Sequence, residues 1–494
     1  MNKKVIAALA VVVLAGAAVA AVPIVESHAA ASIKTEIERD GTTKDGTVEV
    51  GLFERRVALL DLKSTGDAVL SVGRWEASGL AWPLGELIRG RTPLAGFDWG
   101  DPLQADRIEL RDVRLVDSAT TSGWSMGSLV MEGFDLARYD AKYQGGYKFQ
   151  VLVARALGAL TIRRLDERNV LFSLPASNDT FGAASTVVDR YERGRIGALT
   201  VSSLEATAKD DPAPLYKIAD IKSVGIDMTR AIAALSSDKW QPGAPVGRAH
   251  VDNFNASGFS GEMLARYGIS LGSVSLETVR EGDRLSRSRT RVEGFVLAPP
   301  LRGLQGLQTR LALQSMGLKE VKLDLDCAGT DDRAKGELTL DRCALVGPDL
   351  GAIDLTARIV DVDPPFWRAI DDGDLLALNE SHAGVGEMKL VLADKSLLER
   401  SLKALSAVTG KPVSETRSNL ASEIRRYQPA GILISEDMTK LLDTIGRFIE
   451  RGGTLTLDAK PDPPIDIARF QPLTKPGADL VRLLGLSATW APPR

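Results

Sequence analysis

Apolar and polar residues alternate along most of this chain, and the alternation repeatedly slips by one place. In "MGSLVM", starting at residue 126, Met126 and Leu129 are separated by two residues rather than one. The phrase apolar-Gly-x-apolar-x-apolar starts at residues 72, 126, 157, 196, 246, 271, 350 and 385, with small Ala counted as apolar. After many copies two further positions precede the next apolar residue, as in "RRL", "SSL" and "DNF". Period-two alternation describes a strand buried on one face, and a one-step slip describes a bulge or bend in it. Glycine at the entry suits a tight or left-handed approach to the strand. Stretches such as "DRIELRDVRLVD" (106–117) and "IADIKSVGIDM" (218–228) alternate without the glycine. The pattern predicts roughly 15–20 short strands in a long antiparallel meander with one apolar face. The uneven spacing of the phrases excludes a solenoid of fixed period.

Helical spacing interrupts this meander. Residues 26–39, 83–89, 229–237 and the end of 299–317 are expected to be helical. Near the C-terminus Lys395–Thr409, Ser414–Tyr427 and Glu436–Arg451 read as three helices. Ser435 is the expected N-cap of the third, and Gly452-Gly453 its stop. "GTLTLDAKPDPPIDI" returns to strand, a short helix follows near Gly477–Leu484, and "LSATW" closes the chain. The fold class is α+β, mainly β: a bulged antiparallel meander forming a curved sheet or groove, with helical inserts and an N-terminal transmembrane helix. The expected segments are 1–25 (anchor or signal), 26–290 (repetitive β region), 291–394 (helix and continued meander) and 395–494 (helices and closing strands).

The N-terminus changes the picture most. After "MNKK", Val5–Val25 carries no charge over 21 residues. At about 1.5 Å per residue this run reaches about 31 Å, enough to cross a hydrocarbon core. Ala18-Val19-Ala20 and Ala29-Ala30-Ala31 both resemble cleavage sites, so a removed signal remains the alternative to an anchor. Lys3 and Lys4 place the N-terminus in the cytoplasm and the remainder outside the inner membrane. No cysteine directly follows the run, which excludes a lipoprotein. The net charge of −4 and the lack of a basic run exclude nucleic acid as a partner. Cys327 and Cys343 sit in a predicted hairpin and both point inward. A turn near Asp332 sets Cys327 opposite about residue 338, which favours free thiols over a bridge.

Candidate chemistry is sparse. "GWSMG" (123–127) matches the G-x-S-x-G nucleophile elbow around Ser125, but the elbow needs a strand before the serine and a helix after it. Here a loop, "SATTS", precedes and a strand, "SLVMEGFDL", follows. A hydrolase reading predicts a helix after Gly127 and a histidine within reach of Ser125. "SSDK" (Ser236–Lys239) matches S-x-x-K without the accompanying K-T-G. "DDGD" (371–374) lacks calcium-loop spacing and reads as a solvated turn. His28, His250 and His382 are the only histidines, which is thin material for a metal site or a base. His250 is expected to face solvent and His382 to lie in a loop. No catalytic, cofactor-binding or metal-binding residue is assigned, and no enzyme activity or cofactor is expected.

Taken together, the anchor, the opening "VEVGLFERRVALLDL" and units such as "ADRIELRDVRLVD" and "IGALTVSSLEA" resemble the AsmA/TamB-like and YdgA-like proteins of bacterial envelopes. The resemblance covers most of 1–290 and, more loosely, 318–392; the helical stretch 395–451 departs from the pattern. It implies an inner-membrane anchor, a periplasmic β-rich groove, and roles in envelope homeostasis or phospholipid movement. The implied partners are the inner membrane, phospholipid and other envelope proteins. Two non-enzymatic readings stand side by side. In one, an open apolar face takes up acyl chains; in the other, a closed core leaves sheet edges to bind other envelope proteins.

Overall fold

A computed structural model describes residues 22–38, 43–44, 46–64, 68–92, 98–117, 123–143, 145–173, 179–208, 213–244, 246–282, 284–300, 306–428, 434–467 and 479–493. Strand makes up 48% of these residues, and the strand pairings are antiparallel. The chain divides into two units, 1–214 with 224–244, and 215–223 with 245–494. All but the last four residues of Val5–Val25 lie outside the described residues. Among the described residues no helix is long and apolar enough to cross a membrane.

The first unit opens with helix α1 (22–38) and continues as a meander. Strands β1 (Thr43–Lys44) and β2 (Thr47–Gly51) both pair with β3 (Arg56–Ser64). Then β4 (Ala68–Ser78), β5 (Leu103–Asp117), β6 (Gly123–Leu136), β7 (Leu160–Ser173), β8 (Thr180–Glu192) and β9 (Arg195–Thr207) pair in sequence. Short α2 (Leu84–Ile88) follows β4, and α3 (Lys148–Ala159) precedes β7. Strand β10 (Pro214–Asp227) contributes its last residues here, ahead of α4 (Thr229–Leu235). Helix α1 packs Ala29 and Ile33 onto Val57, Ala77 and Ile108 of the sheet, and the backbone N–H of Leu52 donates to Glu26 at 2.9 Å.

The slips in alternation have a definite structure. On β6 the ladder with β7 joins Met126 to Val170 and Ser128 to Arg168, and passes over Gly127 and Asn169. The register is the same on both sides of the gap, so no residue is inserted, and of the expected bulge or bend the feature is the bend, a kink. Asn169 has φ 54° and Gly127 does not share its left-handed conformation. Register sets the kinks in a row across the sheet. Left-handed Asp61, Asp112, Asn169 and Ser203 alternate with Gly73, Gly127 and Ala184 on the strands between them. A second row joins left-handed Gly79, Gly133 and Arg190 to Asp106, Arg163 and Gly197. The kink takes each strand out of pleat for one step, through left-handed Asp112 on β5 and, on β6, beside left-handed Asn169 of β7, so the inward positions fall three apart: Val113 and Leu110, or Met126 and Leu129, join the same apolar cluster. Asp and Asn suit this conformation because their short polar side chains tolerate it.

The eight phrases are therefore not equivalent. Gly73, Gly127, Gly197 and Gly386 lie inside strands, and of the eight glycines Gly247 and Gly351 are left-handed. Gly158 belongs to α3, which the phrase "LGALTIRRL" concealed; its strand starts at Leu160.

The second unit begins with the first part of β10 and continues through β11 (His250–Ser260), α5 (Glu262–Tyr267), β12 (Ile269–Ser270), β13 (Ser273–Glu281) and β14 (Leu285–Leu297). After α6 (Leu307–Ser315) come β15 (Val321–Asp332), β16 (Glu337–Gly347) and β17 (Gly351–Val360). Helix α7 (Pro364–Asp371) and a 3-10 turn (Leu375–Glu380) lead into β18 (Gly384–Asp394). Three helices, α8 (Leu397–Thr409), α9 (Val413–Arg425) and α10 (Glu436–Arg451), match the helical spacing to within a few residues. Strands β19 (Thr454–Ala459) and β20 (Ile465–Asp466), helix α11 (Leu480–Leu484) and β21 (Leu486–Ala491) complete the unit. In this unit the register does shift, between Ala328 and Gly329 among other places, so true bulges occur here.

That bulge corrects the expectation for the cysteines. The turn spans Arg333–Gly336, and one extra residue on β16 brings Cys343 directly opposite Cys327. The two are joined by a disulfide. "DDGD" is also not simply a solvated turn. Asp371 is buried at the end of α7 and takes both arms of Arg333 at 2.7 and 2.8 Å, with the guanidinium over the Trp367 ring.

Candidate functional site

Because each cross-strand pair shares a face, the ladders of the first unit define its surfaces row by row. One row runs Val72, Val113, Met126, Val170, and each member is at most 8% exposed. The side chains packed against it, Leu62, Trp75, Leu110, Trp124 and Leu129, come from strands of the same sheet. The buried row here is thus packed by side chains of its own sheet, whereas α1 covers the cluster around Val57 and Ile108.

Two positions further along, the cover fails on four of the five strands, while Trp124 on β6 stays half-buried. Leu70, Leu115, Trp124, Phe172 and Phe181 stand side by side in register. Leu70 and Leu115 are each 38% exposed, and Phe172 and Phe181 each 45%. The rings of Trp124 and Phe172 lie 6.4 Å apart. Five contiguous large apolar side chains along one line form a patch, unlike scattered surface leucines.

On the other side of the first kink row the same face carries Trp75, Leu110, Leu129, Glu167, Thr186 and Val201. Glu167 is out of place there. It forms no hydrogen bond or ion pair within the described residues, and burial raises its carboxyl above the usual range. Glu167 is inconspicuous in the sequence, because "RRLDERNV" has the composition of a solvated charge run. Counting inward positions through the kink at Asn169 would have found it, since Val170, Glu167 and Leu165 then share a face.

The reverse face is charged and internally neutralised. Arg107 pairs with Glu109 at 3.0 Å, Arg168 with Asp166 at 3.1 Å, and Arg164 with Asp189 at 2.9 Å. Burial acts to raise the Glu109 carboxyl, but hydrogen bonds from Arg107 and Arg111 outweigh it and hold the group below its usual range. Ser125 lies on this reverse side, opposite Arg114 and Leu171. Strand β6 continues through Gly127 to Leu136, so the helix required by a nucleophile elbow is not there. Neither neighbouring strand, β5 nor β7, carries a histidine. The segment "SATTS" (118–122) lies outside the described residues.

The remaining motif residues are accounted for locally. Ser236 caps the end of α4 and donates to the Ile232 carbonyl, while Ser237 accepts from the backbone of Lys239 at 3.2 Å. His28 is exposed on α1, and His250 is half-buried at the start of β11 rather than turned fully to solvent. His382 lies in the loop before β18, where its backbone donates to Asp363 at 2.8 Å. Among the described residues no group of three or more His, Cys, Asp or Glu is arranged to hold a metal ion.

The second unit has an apolar cavity of about 280 Å³. Leu323, Leu345, Ile353 and Leu392 form its strand wall, and Leu398 and Phe448 close it from α8 and α10. Its one carboxylate, Asp394, is engaged by the backbone N–H of Leu398 at 2.8 Å and so serves the start of α8.

The first unit is thus a kinked antiparallel sheet with one apolar and one charge-paired face. A family model described as "Uncharacterized protein" matches residues 344–490, under a third of the chain. The match takes in β17 to β21 and most of the wall of the apolar cavity. No curated protein matches the chain.

Proposed function

We propose that this chain is a non-enzymatic envelope protein that binds phospholipid acyl chains on the apolar face of its first unit. Val5–Val25 holds it in the inner membrane, and the β-rich bulk lies in the periplasm. The observation that carries the reading is the exposure of Leu70, Leu115, Phe172 and Phe181, in line with half-buried Trp124, beside a row already dry. A row at most 8% exposed, flanked by Leu70, Leu115, Phe172 and Phe181 at 38–45% exposure with half-buried Trp124 between them, supports a trough with an open rim. Removing such a rim from water is favourable by about 25 cal/mol per Å², and a hydrocarbon chain can lie along it without leaving polar groups unmet. The Cys327–Cys343 disulfide supports export, because such bonds persist in oxidising compartments. The resemblance to AsmA/TamB-like and YdgA-like envelope proteins points the same way.

Native mass spectrometry of the full chain, purified in mild detergent, tests this. Bound phospholipid is expected on the wild-type protein, with strong depletion in a Leu115→Asp/Phe172→Asp double variant. A wild-type protein free of lipid, or a double variant that keeps it, overturns the proposal.

A further inference from the structure

Five rows of the apolar face of the first unit can be followed in register, from the Leu70 row to the pair Tyr191 and Ile196. Within these rows, among the described residues, Glu167 is the only charged side chain. Its strand neighbours Asp166 and Arg168 pair with each other on the reverse face at 3.1 Å. Directly across the ladders stand Leu129 on β6 and Thr186 on β8, neither of which can neutralise it. Glu167 is half-buried among apolar side chains without a cationic partner, so its carboxylate is partly desolvated and uncompensated, which an apolar residue at this position would avoid.

We propose that Glu167, with the Thr186 hydroxyl beside it, receives a primary ammonium group carried by the lipid, so that the bound class is an amine-bearing phospholipid. This rests on the acyl-chain reading above and names the headgroup for the same site. Charge complementarity carries it: an ammonium is the one common lipid headgroup charge that satisfies a lone carboxylate. It also supplies N–H donors enough for both Glu167 and Thr186. A phosphoglycerol headgroup brings only negative charge, which this carboxylate repels. A quaternary ammonium brings the charge without N–H donors. The desolvation that already disfavours ionised Glu167 is offset once the ammonium is bound.

The experiment equilibrates the full chain in mild detergent with vesicles of ethanolamine, choline and glycerol phospholipids of identical acyl chains, in equal amounts. Bound lipid is then counted by native mass spectrometry. The wild-type protein is expected to enrich the ethanolamine lipid about tenfold or more over the glycerol lipid, the scale of one charge-assisted hydrogen bond. It is also expected to prefer ethanolamine over choline. Glu167→Gln keeps the shape and is expected to bind as much lipid in total, without the preference. Thr186→Val is expected to narrow the ethanolamine-to-choline preference. Lipid bound without headgroup preference, or a preference unchanged in Glu167→Gln, overturns this inference and leaves the acyl-chain reading standing. No bound lipid in any variant overturns both.

Discussion

Gly127 stands beside Asn169: a Cβ on the glycine would sit 3.2 Å from the Asn169 Cβ and 3.4 Å from the Arg168 carbonyl oxygen. The two residues divide one task. Asn169 adopts the left-handed conformation that takes its strand out of pleat, and Gly127 leaves the space that the displaced backbone needs. The same division recurs between Gly73 and Asp112, where the Cβ–Cβ approach would be 3.0 Å. Substitutions at the two sites therefore fail for different reasons. Gly127→Val is expected to destabilise by about 1–3 kcal/mol through crowding. Asn169→Val is expected to lose about 1–2 kcal/mol through its left-handed backbone. Asn169→Gly relieves that strain and is expected to stay within about 0.5 kcal/mol of wild type, because glycine adopts φ > 0 freely. Urea midpoints of the three variants check the pattern, and equal losses at both asparagine substitutions would contradict it.

The disulfide joins directly opposed residues of β15 and β16 across a sequence separation of 16. Closing a loop of that size restricts the unfolded chain, an effect of about 2–4 kcal/mol. Cys327→Ser/Cys343→Ser is expected to lower stability by that amount under oxidising conditions and to match the wild type in reductant. Thiol titration of the unreduced, denatured protein should find none free; two free thiols would refute the bridge.

Much of this architecture is legible in the sequence because the sheet has one apolar face. The slip between Met126 and Leu129 states the kink directly, and the helical spacing of Leu441, Leu442, Ile445, Phe448 and Ile449 states α10. What stayed hidden depends on partners distant in sequence. Arg333 turns Asp371 from a surface aspartate into a buried one across 38 residues. The pairing of Cys327 follows from a four-residue turn and a bulge, and neither leaves a mark in alternation alone. Helix α3 was hidden by ambiguity, since "VLVARALGALTI" is continuous enough to suit strand or helix. The candidate site is half visible: the apolar rows can be read, but their exposure cannot, because it depends on which side chains of other strands and of α1 pack against each row.

Two helix starts are coupled through their caps. The Ser435 hydroxyl accepts from the Met438 N–H at 3.3 Å and donates to Asp479 at 3.3 Å; Asp479 in turn accepts from the Arg482 N–H at 3.2 Å. Below them Met438, Leu442 and Val481 share one buried cluster. Ser435→Ala and Asp479→Ala are each expected to cost about 1 kcal/mol. Because both remove the bond between the caps, the double variant is expected to cost less than the sum, and a double-mutant cycle measures the difference. Strict additivity would show that the caps act independently.

Glu167 imposes a stability cost that depends on pH in a direction opposite to that of most surface carboxylates. Burial raises its folded pKa above the ordinary glutamate value, and no charged group faces it from β6 or β8, where Leu129 and Thr186 stand opposite. Between the unfolded and folded pKa values the folded chain holds more protons than the unfolded one. Stability attributable to this group is therefore greatest in acid and falls as pH rises through that window. Glutamine in its place does not titrate and has no charge to desolvate. Glu167→Gln is expected to melt above the wild type at about pH 8 and to approach it at about pH 3, below the ordinary glutamate range, where Glu167 is protonated in both states. Thermal melts of lipid-free protein across that range decide it: a variant less stable at the alkaline end, or an offset that does not change with pH, would show that the carboxylate is already satisfied within the fold. A gain in stability on removing it is the behaviour of a residue kept for a ligand rather than for the sheet.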